Sequence, residues 1–219
     1  LSRGLGDVYK RQEKKRPVIY HGFEPSSKSI HIGYLIGLQK HMDFIDAGLE
    51  LIVLFADLHA WLNEKGSEDE IRQMAENYKK NFIAVGIPKD KVKWVLGSSF
   101  QLKKEYWKDV MKLALKIRLQ RAKRSMTIIG RNEPDPHVAQ FIYPLMQVTD
   151  IKHLAVDIAF GDLAQRKIHM MAREYIDVIN YKKPIAMHHI DMHSLTYGVK
   201  MSSSKPETTV FIDDDQELI

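Results

Sequence analysis

Two stretches of this 219-residue chain, far apart in the sequence, carry side chains suited to holding phosphate. The first is residues 17–38, PVIYHGFEPSSKSIHIGYLIGL. Its apolar run at 18–20 reads as a buried strand that ends at Gly22. A polar loop follows, and then Ile32, Leu35, Ile36, Phe44 and Ile45 recur at helical spacing. The loop therefore opens beside a helix N-terminus, where amide N–H groups and the helix dipole attract anions. Gly22 and Gly33 would let backbone approach a ligand closely. His31, in the first turn of that helix, can donate a hydrogen bond to a phosphate oxygen. On these residues alone, a generic α/β unit with a surface histidine explains the pattern equally well. The second stretch, Lys200-Met-Ser-Ser-Ser-Lys205, is cationic and rich in hydroxyls, as a second phosphate clamp would be.

The elements that must position these groups alternate along the chain. Apolar runs at 51–56, 92–96, 154–160 and 185–187 read as four further strands. Helical patterns separate them, so the expected fold class is α/β, a Rossmann-like doubly wound parallel sheet covered on both faces. Ser67 with Glu70 is a capping-box pattern; it opens a helix with Ile71, Met74, Ala75, Tyr78 and Phe82 on its apolar side. One long helical stretch is expected over about 104–128, followed by a loop at 132–136, with Pro136 in the first turn of the next helix. The basic residues of the long stretch (Lys112, Lys116, Arg118, Arg121, Lys123 and Arg124) read either as a solvated face or as an RNA-facing one, the solvated face being the simpler account. Ligands of such sheets sit beyond the C-terminal strand ends, and Tyr20, Asp57, His59, Gly97 and Gly161 all fall at or just past those ends.

Composition narrows the classes. The chain is 44% hydrophobic and 28% charged, ordinary for a soluble enzyme with one core and one insertion. It has no cysteine, which excludes disulfides and Cys-based zinc sites. No apolar run approaches the roughly 20 residues of a membrane helix, and no signal-peptide pattern is present, so no membrane partner and a cytoplasmic location are expected. The net charge of +5 fits a nucleic-acid partner, though many soluble proteins share it. His188, His189 and His193 match no strong metal-ligand spacing and read as exposed loop histidines, so no protein-held metal is expected.

The two phosphate-holding stretches, His31-Ile-Gly-Tyr34 and Lys200-Met-Ser-Ser-Ser204, together resemble the two signatures of class I aminoacyl-tRNA synthetases. The text between them narrows the likeness. Tyr20-His-Gly-Phe-Glu-Pro-Ser26, Ala56-Asp-Leu-His-Ala-Trp-Leu62, Tyr143-Pro-Leu-Met-Gln-Val-Thr-Asp150 and Gln165-Arg-Lys-Ile-His169 resemble tyrosyl-tRNA synthetases of the archaeal and eukaryotic-cytosolic type, in ordered blocks over about 17–215. The resemblance implies a tyrosine–tRNA ligase that activates L-tyrosine with ATP, accompanied by Mg2+, and passes it to tRNA(Tyr). It implies His31, Lys200 and Lys205 as catalytic groups, and Gly22, Glu24, Gly33, Met201 and Ser203 beside His31 as the ATP site. Tyr20 and Asp150 would hydrogen-bond the substrate hydroxyl, with Tyr143, Gln147 and Gln165 on its α-amino group. His59 would line the pocket or serve a structural role. Tyr143, Gln147 and Asp150 recur at i, i+4 and i+7, which puts them on one helix face. A homodimer is implied, with a helical insertion at about 98–150 supplying much of its interface.

Four departures from the family pattern bear on these expectations. Tyr34 replaces the second histidine of the first signature, and Gly161-Asp-Leu-Ala164 replaces a Gly-Gly pair and an acidic residue expected to meet the ribose. Pro25 to His31 is one residue longer than in many archaeal relatives. Ser203 stands where many class I enzymes carry lysine, a charge Lys205 would supply. Residues 1–16 match nothing in the family, 17–212 read as the catalytic domain with its loop at 200–204, and 213–219 read as the start of a truncated C-terminal region. The tryptophan enzyme, which shares fold and signatures, and a non-catalytic RNA-binding paralogue remain the rival readings.

Overall fold

Five apolar runs form one parallel sheet in the computed structural model, which describes residues 16–126, 135–190, 192, 201 and 209–215. The strands are β1 (Val18–Phe23), β2 (Glu50–Phe55), β3 (Val92–Leu96), β4 (Ile158–Asp162) and β5 (Ile185–His189). Their order is β3-β2-β1-β4-β5, with β1 in the middle and every pairing parallel. The chain runs outward from β1 in one direction through β2 and β3, then returns to its other side with β4 and β5. The switch point lies between β1 and β4, which is where such sheets bind ligands.

The helices are α1 (Tyr34–Asp46), α2 (Asp57–Leu62), α3 (Glu68–Ala84), α4 (Ser98–Gln101), α5 (Lys104–Ala114), α6 (Leu119–Met126), α7 (Val138–His153) and α8 (Arg166–Tyr175). Successive strand residues point to opposite faces. Val18 and Tyr20, with Ile52 and Leu54, join the core built with α5, α6, α7 and α8. Ile19 and Phe23, with Leu51, Val53 and Phe55, join the core under α1 and α3. This alternation sends Tyr20 toward α5 and α7 and its neighbour His21 toward α1, where His21 Nδ1 meets His41 Nε2 at 2.9 Å. The Ser67–Glu70 capping box opens α3 as expected.

Several boundaries differ from the sequence reading. The stretch expected as one helix over 104–128 is two, α5 and α6, broken at 115–118. Its basic residues support the simpler account where partners are seen: Lys112 pairs with Asp109 at 3.0 Å and Arg121 with Glu174 at 2.7 Å. Residues 154–157 are not strand. α7 runs to His153, Ala155 turns in the left-handed region (φ 55°), and β4 begins only at Ile158. Asp157, buried in that turn, accepts the Val18 amide at 2.8 Å and pairs with Lys182, which anchors the start of β1. Pro136 precedes α7 rather than sitting in its first turn, because His137 is the N-cap. Tyr20 is the third residue of β1, inside the strand rather than at its end. β5 extends through His188 and His189, whose positions pair with Gly161 and Asp162 of β4.

Candidate active site

A cleft of about 310 Å³ opens over the C-terminal ends of β1 and β4. At one end lies the turn before α1. His31 is buried, and its Nδ1 accepts the Gly33 amide at 3.1 Å. It precedes the helix rather than opening it, since α1 starts at Tyr34. The amides of Tyr34 and Leu35 donate to the carbonyls of His31 and Ile32. The amides expected to face an anion are thus partly engaged within the turn, and the helix dipole remains. The late part of the chain returns here. Ile32 N–H donates to Val210 O at 2.9 Å, Ile212 N–H donates to Ile30 O at 3.1 Å, and His31 bridges to Phe211. Met201 is buried in the cleft wall, and its Sδ is 3.7 Å from where a Cβ on Gly33 would stand. Of the second expected clamp, Met201 therefore reaches this end beside His31. Gly22, Glu24 and Gly33 line the same cleft, and the longer 25–31 loop still delivers His31 to it. Lys200, Ser203 and Lys205, like His193, lie outside the described residues.

The other end is closed by a buried carboxylate. Asp150, on α7, is 1% exposed. Its Oδ1 accepts from Gln101 Nε2 at 2.8 Å and from Tyr106 O–H at 2.7 Å. Its Oδ2 has no hydrogen-bond partner among the described residues and lies 3.9 Å from His59 Nε2, itself unpartnered among them. Burial pushes the Asp150 carboxyl up to about 7, against the pull of Gln101 and Tyr106. Burial, with Asp150 nearby, also raises the Tyr20 phenol. Burial lowers His59 to about 4, so this imidazole is neutral. A buried acceptor with one oxygen held and the other open, flanked by a neutral imidazole and a phenol, suits a small hydroxyl-bearing ligand.

Between the two ends lie Tyr143, Gln147 and Gln165. Gln147 Nε2 donates to Gln165 Oε1 at 3.0 Å, and Gln147 Oε1 is buried and unpartnered among the described residues. Tyr143 O–H donates to Glu24 at 3.1 Å, and its ring stands edge-on to His59. Acceptors of this kind could take an ammonium group. The single helix face expected for Tyr143, Gln147 and Asp150 is the face that lines the cleft.

Some cleft groups escaped the sequence reading. Gln101 and Tyr106 reach Asp150 across more than forty residues, a pairing that no local spacing announces. His21 and His189 also line the cleft, and His169 Nδ1 meets His188 Nε2 at 3.0 Å. The histidines at 188 and 189 are therefore strand residues facing partners, not exposed loop ones. Their adjacency to the apolar run at 185–187 was the available signal. Asp162 also lines the cleft, and its Oδ1 accepts the Gln165 amide at 3.0 Å, so the altered 161–164 loop still presents a carboxylate. Among the described residues, no three His, Asp or Glu side chains group so as to hold a metal ion.

Comparison with known proteins agrees with this geometry. Residues 12–219 match the family described as tRNA synthetases class I (W and Y). The chain is 46% identical over 208 residues to a tyrosine–tRNA ligase of Methanopyrus kandleri, covering 95% of this chain and 64% of that protein. The structure of tyrosyl-tRNA synthetase from Archaeoglobus fulgidus complexed with L-tyrosine superposes with a TM-score of 0.90 at 46% identity, over 97% of this chain and 66% of that one. The Leishmania major enzyme in complex with tyrosinol gives 0.88 at 32% identity, over 97% and 41%. This chain thus spans about two thirds of the archaeal proteins it resembles. With the first signature segment and Met201 of the second lining one parallel-sheet cleft, and a family match along nearly its whole length, the chain belongs to the class I tRNA synthetases of the tryptophan and tyrosine group.

Proposed function

We propose that this chain carries the catalytic centre of a tyrosine–tRNA ligase, which joins L-tyrosine to tRNA(Tyr) in two steps with ATP as the energy source. The observation that carries the reading is Asp150 Oδ2, a buried acceptor with no partner among the described residues, at the closed end of a cleft shared with His31. A phenol donates to that oxygen, and the Tyr20 hydroxyl stands beside it. Phenylalanine would leave the acceptor unpaired; the tyrosine enzyme is itself the worked example of this rejection, at about 10⁵. The Methanopyrus kandleri tyrosine–tRNA ligase and the L-tyrosine complex of the Archaeoglobus fulgidus enzyme support the same choice.

In the first step the tyrosine carboxylate attacks the α-phosphate of ATP, releasing pyrophosphate and leaving tyrosyl-adenylate. The amino acid supplies the nucleophile, so the protein's work is alignment and charge stabilisation. Tyr143, Gln147 and Gln165 hold the α-amino group. Gly22, Glu24, Gly33 and Met201 shape the nucleotide end, and His31 donates to the phosphates. Lys200, Ser203 and Lys205 complete the clamp from the segment that leads to Phe211. Magnesium enters with the nucleotide phosphates as part of the substrate. In the second step the adenylate acylates the terminal adenosine of the tRNA, work that belongs to the cytoplasm. Exposed Met111, Leu115, Leu119 and Val138 on the helical insertion supply the apolar surface for a homodimer.

The test is pyrophosphate exchange into ATP by the folded chain, with each aromatic amino acid in turn. Exchange with tyrosine supports the reading, and exchange with tryptophan instead would move the chain to the family's other branch. Tyrosine binding without exchange would favour a non-catalytic paralogue.

A further inference from the structure

The cleft leaves one feature unused by the reaction as described: the pair of side chains behind Asp150. Neither Gln101 nor Tyr106 lines the cleft, and both are fully buried. Gln101, the last residue of α4, puts Nε2 2.8 Å from Asp150 Oδ1 and 3.5 Å from His59 Nδ1. Tyr106, from α5, puts its hydroxyl 2.7 Å from the same Oδ1 and 2.9 Å from the Met146 carbonyl. That hydroxyl has one proton, and the carboxylate is the nearer and more strongly accepting partner. Two donors on one oxygen do two things. They favour the ionised carboxylate against its burial. They also fix its rotation, so that Oδ2 is the oxygen left on the His59 side.

Resting on the tyrosine reading above, we propose that Gln101 and Tyr106 are positioning residues for substrate recognition, holding Oδ1 of Asp150 so that Oδ2 stays ionised and turned to accept the phenol. Neither touches the substrate. Without them the buried carboxyl would take up a proton more readily, and a protonated Oδ2 presents a donor and a weaker acceptor to the phenol. The groups facing Asp150 from the elements around it are Tyr20 of β1, Asp57 and His59 of α2, Tyr106 of α5 and Tyr143 of its own helix. Burial keeps His59 neutral and Asp57 raises the Asp150 carboxyl, so among the described residues facing Asp150 no cation offsets the loss of the two donors.

Exchange kinetics on the full 219-residue chain test this, using Tyr106→Phe and Gln101→Met, which keep side-chain size and remove the donors. Each is read with L-tyrosine and L-phenylalanine across pH 5.5–9. The expected result is a fall in kcat/KM for tyrosine of about tenfold in each variant, with little change for phenylalanine, so that discrimination narrows. The acidic limb of the tyrosine profile should also move to higher pH, since kcat/KM reports groups of the free enzyme. A purely structural role would lower both amino acids together and leave the limb in place. Either folded variant showing unchanged discrimination and an unmoved limb overturns the inference. Failure of the unsubstituted chain to exchange with tyrosine would instead contradict the function on which the inference rests.

Discussion

Asp150 is a carboxyl that burial holds up to about 7, and this sets both its chemistry and its pH dependence. In the proposed role it accepts the phenol best when ionised, so kcat/KM for tyrosine should climb as pH rises through about 7 and level off above it. A pH series of exchange rates checks this; a flat profile across that range would contradict it. Asp150→Asn keeps the shape and presents an amide to the phenol, and should cost tyrosine about 100-fold or more in kcat/KM while leaving phenylalanine nearly unaffected. Gly33 packs against the His31 ring. A Cβ there would stand 2.8 Å from the His31 ring, so Gly33→Ala should displace the imidazole. Exchange should then slow by about tenfold or more with tyrosine affinity retained, if His31 serves the phosphates as proposed. Much of this was legible in the sequence, because Tyr143, Gln147 and Asp150 share a helix face by spacing alone. Gln101 and Tyr106 were not, because their hydrogen bonds join segments that only the tertiary fold brings together.

The element that carries the site is α7, buried along most of its length and gripped by α5. Asp109 of α5 takes Lys152 at 2.5 Å and His153 at 3.2 Å, both near the end of α7, besides Lys112 of its own helix. Burial would raise the Asp109 carboxyl, but the hydrogen bonds from Lys152, Lys112 and His153 outweigh it and hold it below the usual range. Lys152, in the last turn of α7, also sits favourably beside its C-terminal dipole. Asp109→Asn should therefore destabilise the packing of α5 on α7 by about 1–3 kcal/mol, measurable by urea unfolding at neutral pH. A depressed carboxyl stabilises above its unfolded pKa, so the difference between the two proteins should shrink as pH falls through the carboxylate range. Boundaries were the least legible part of the elements. Apolar spacing continues across 115–118, which hides the break between α5 and α6. The apolar residues at 154–156 resemble a strand start, yet the chain must turn there to leave α7. The five strands themselves were readable as apolar runs because a sheet covered on both faces demands them.

At the scale of the whole molecule, buried neutral histidines govern the response to acid. Burial lowers His41 and His169 to about 3 and His59 to about 4, and it lowers His21 as well. The unfolded chain binds those protons near pH 6.5. Stability should therefore fall as pH drops below about 6.5, by on the order of 1 kcal/mol per histidine per pH unit. Asp150 acts in the opposite sense, since its raised pKa lets the fold bind a proton that the unfolded chain has lost between about 4 and 7. One carboxyl against four imidazoles leaves acid lability as the net result. His41→Met should flatten the dependence between pH 5 and 7.5 in urea unfolding, and an unchanged slope would refute this assignment. If exposed Met111, Leu115, Leu119 and Val138 face a second copy, Leu115→Glu should shift sedimentation toward the monomer. Calorimetric titration of the folded chain with L-tyrosine and L-phenylalanine decides whether a carboxylate opposite the proposed phosphate clamp reads a phenol. Saturable tyrosine binding at least about 100-fold tighter than phenylalanine, lost in Asp150→Asn, is the result expected. Equal affinity for the two amino acids, or tyrosine binding untouched by that substitution, would contradict it.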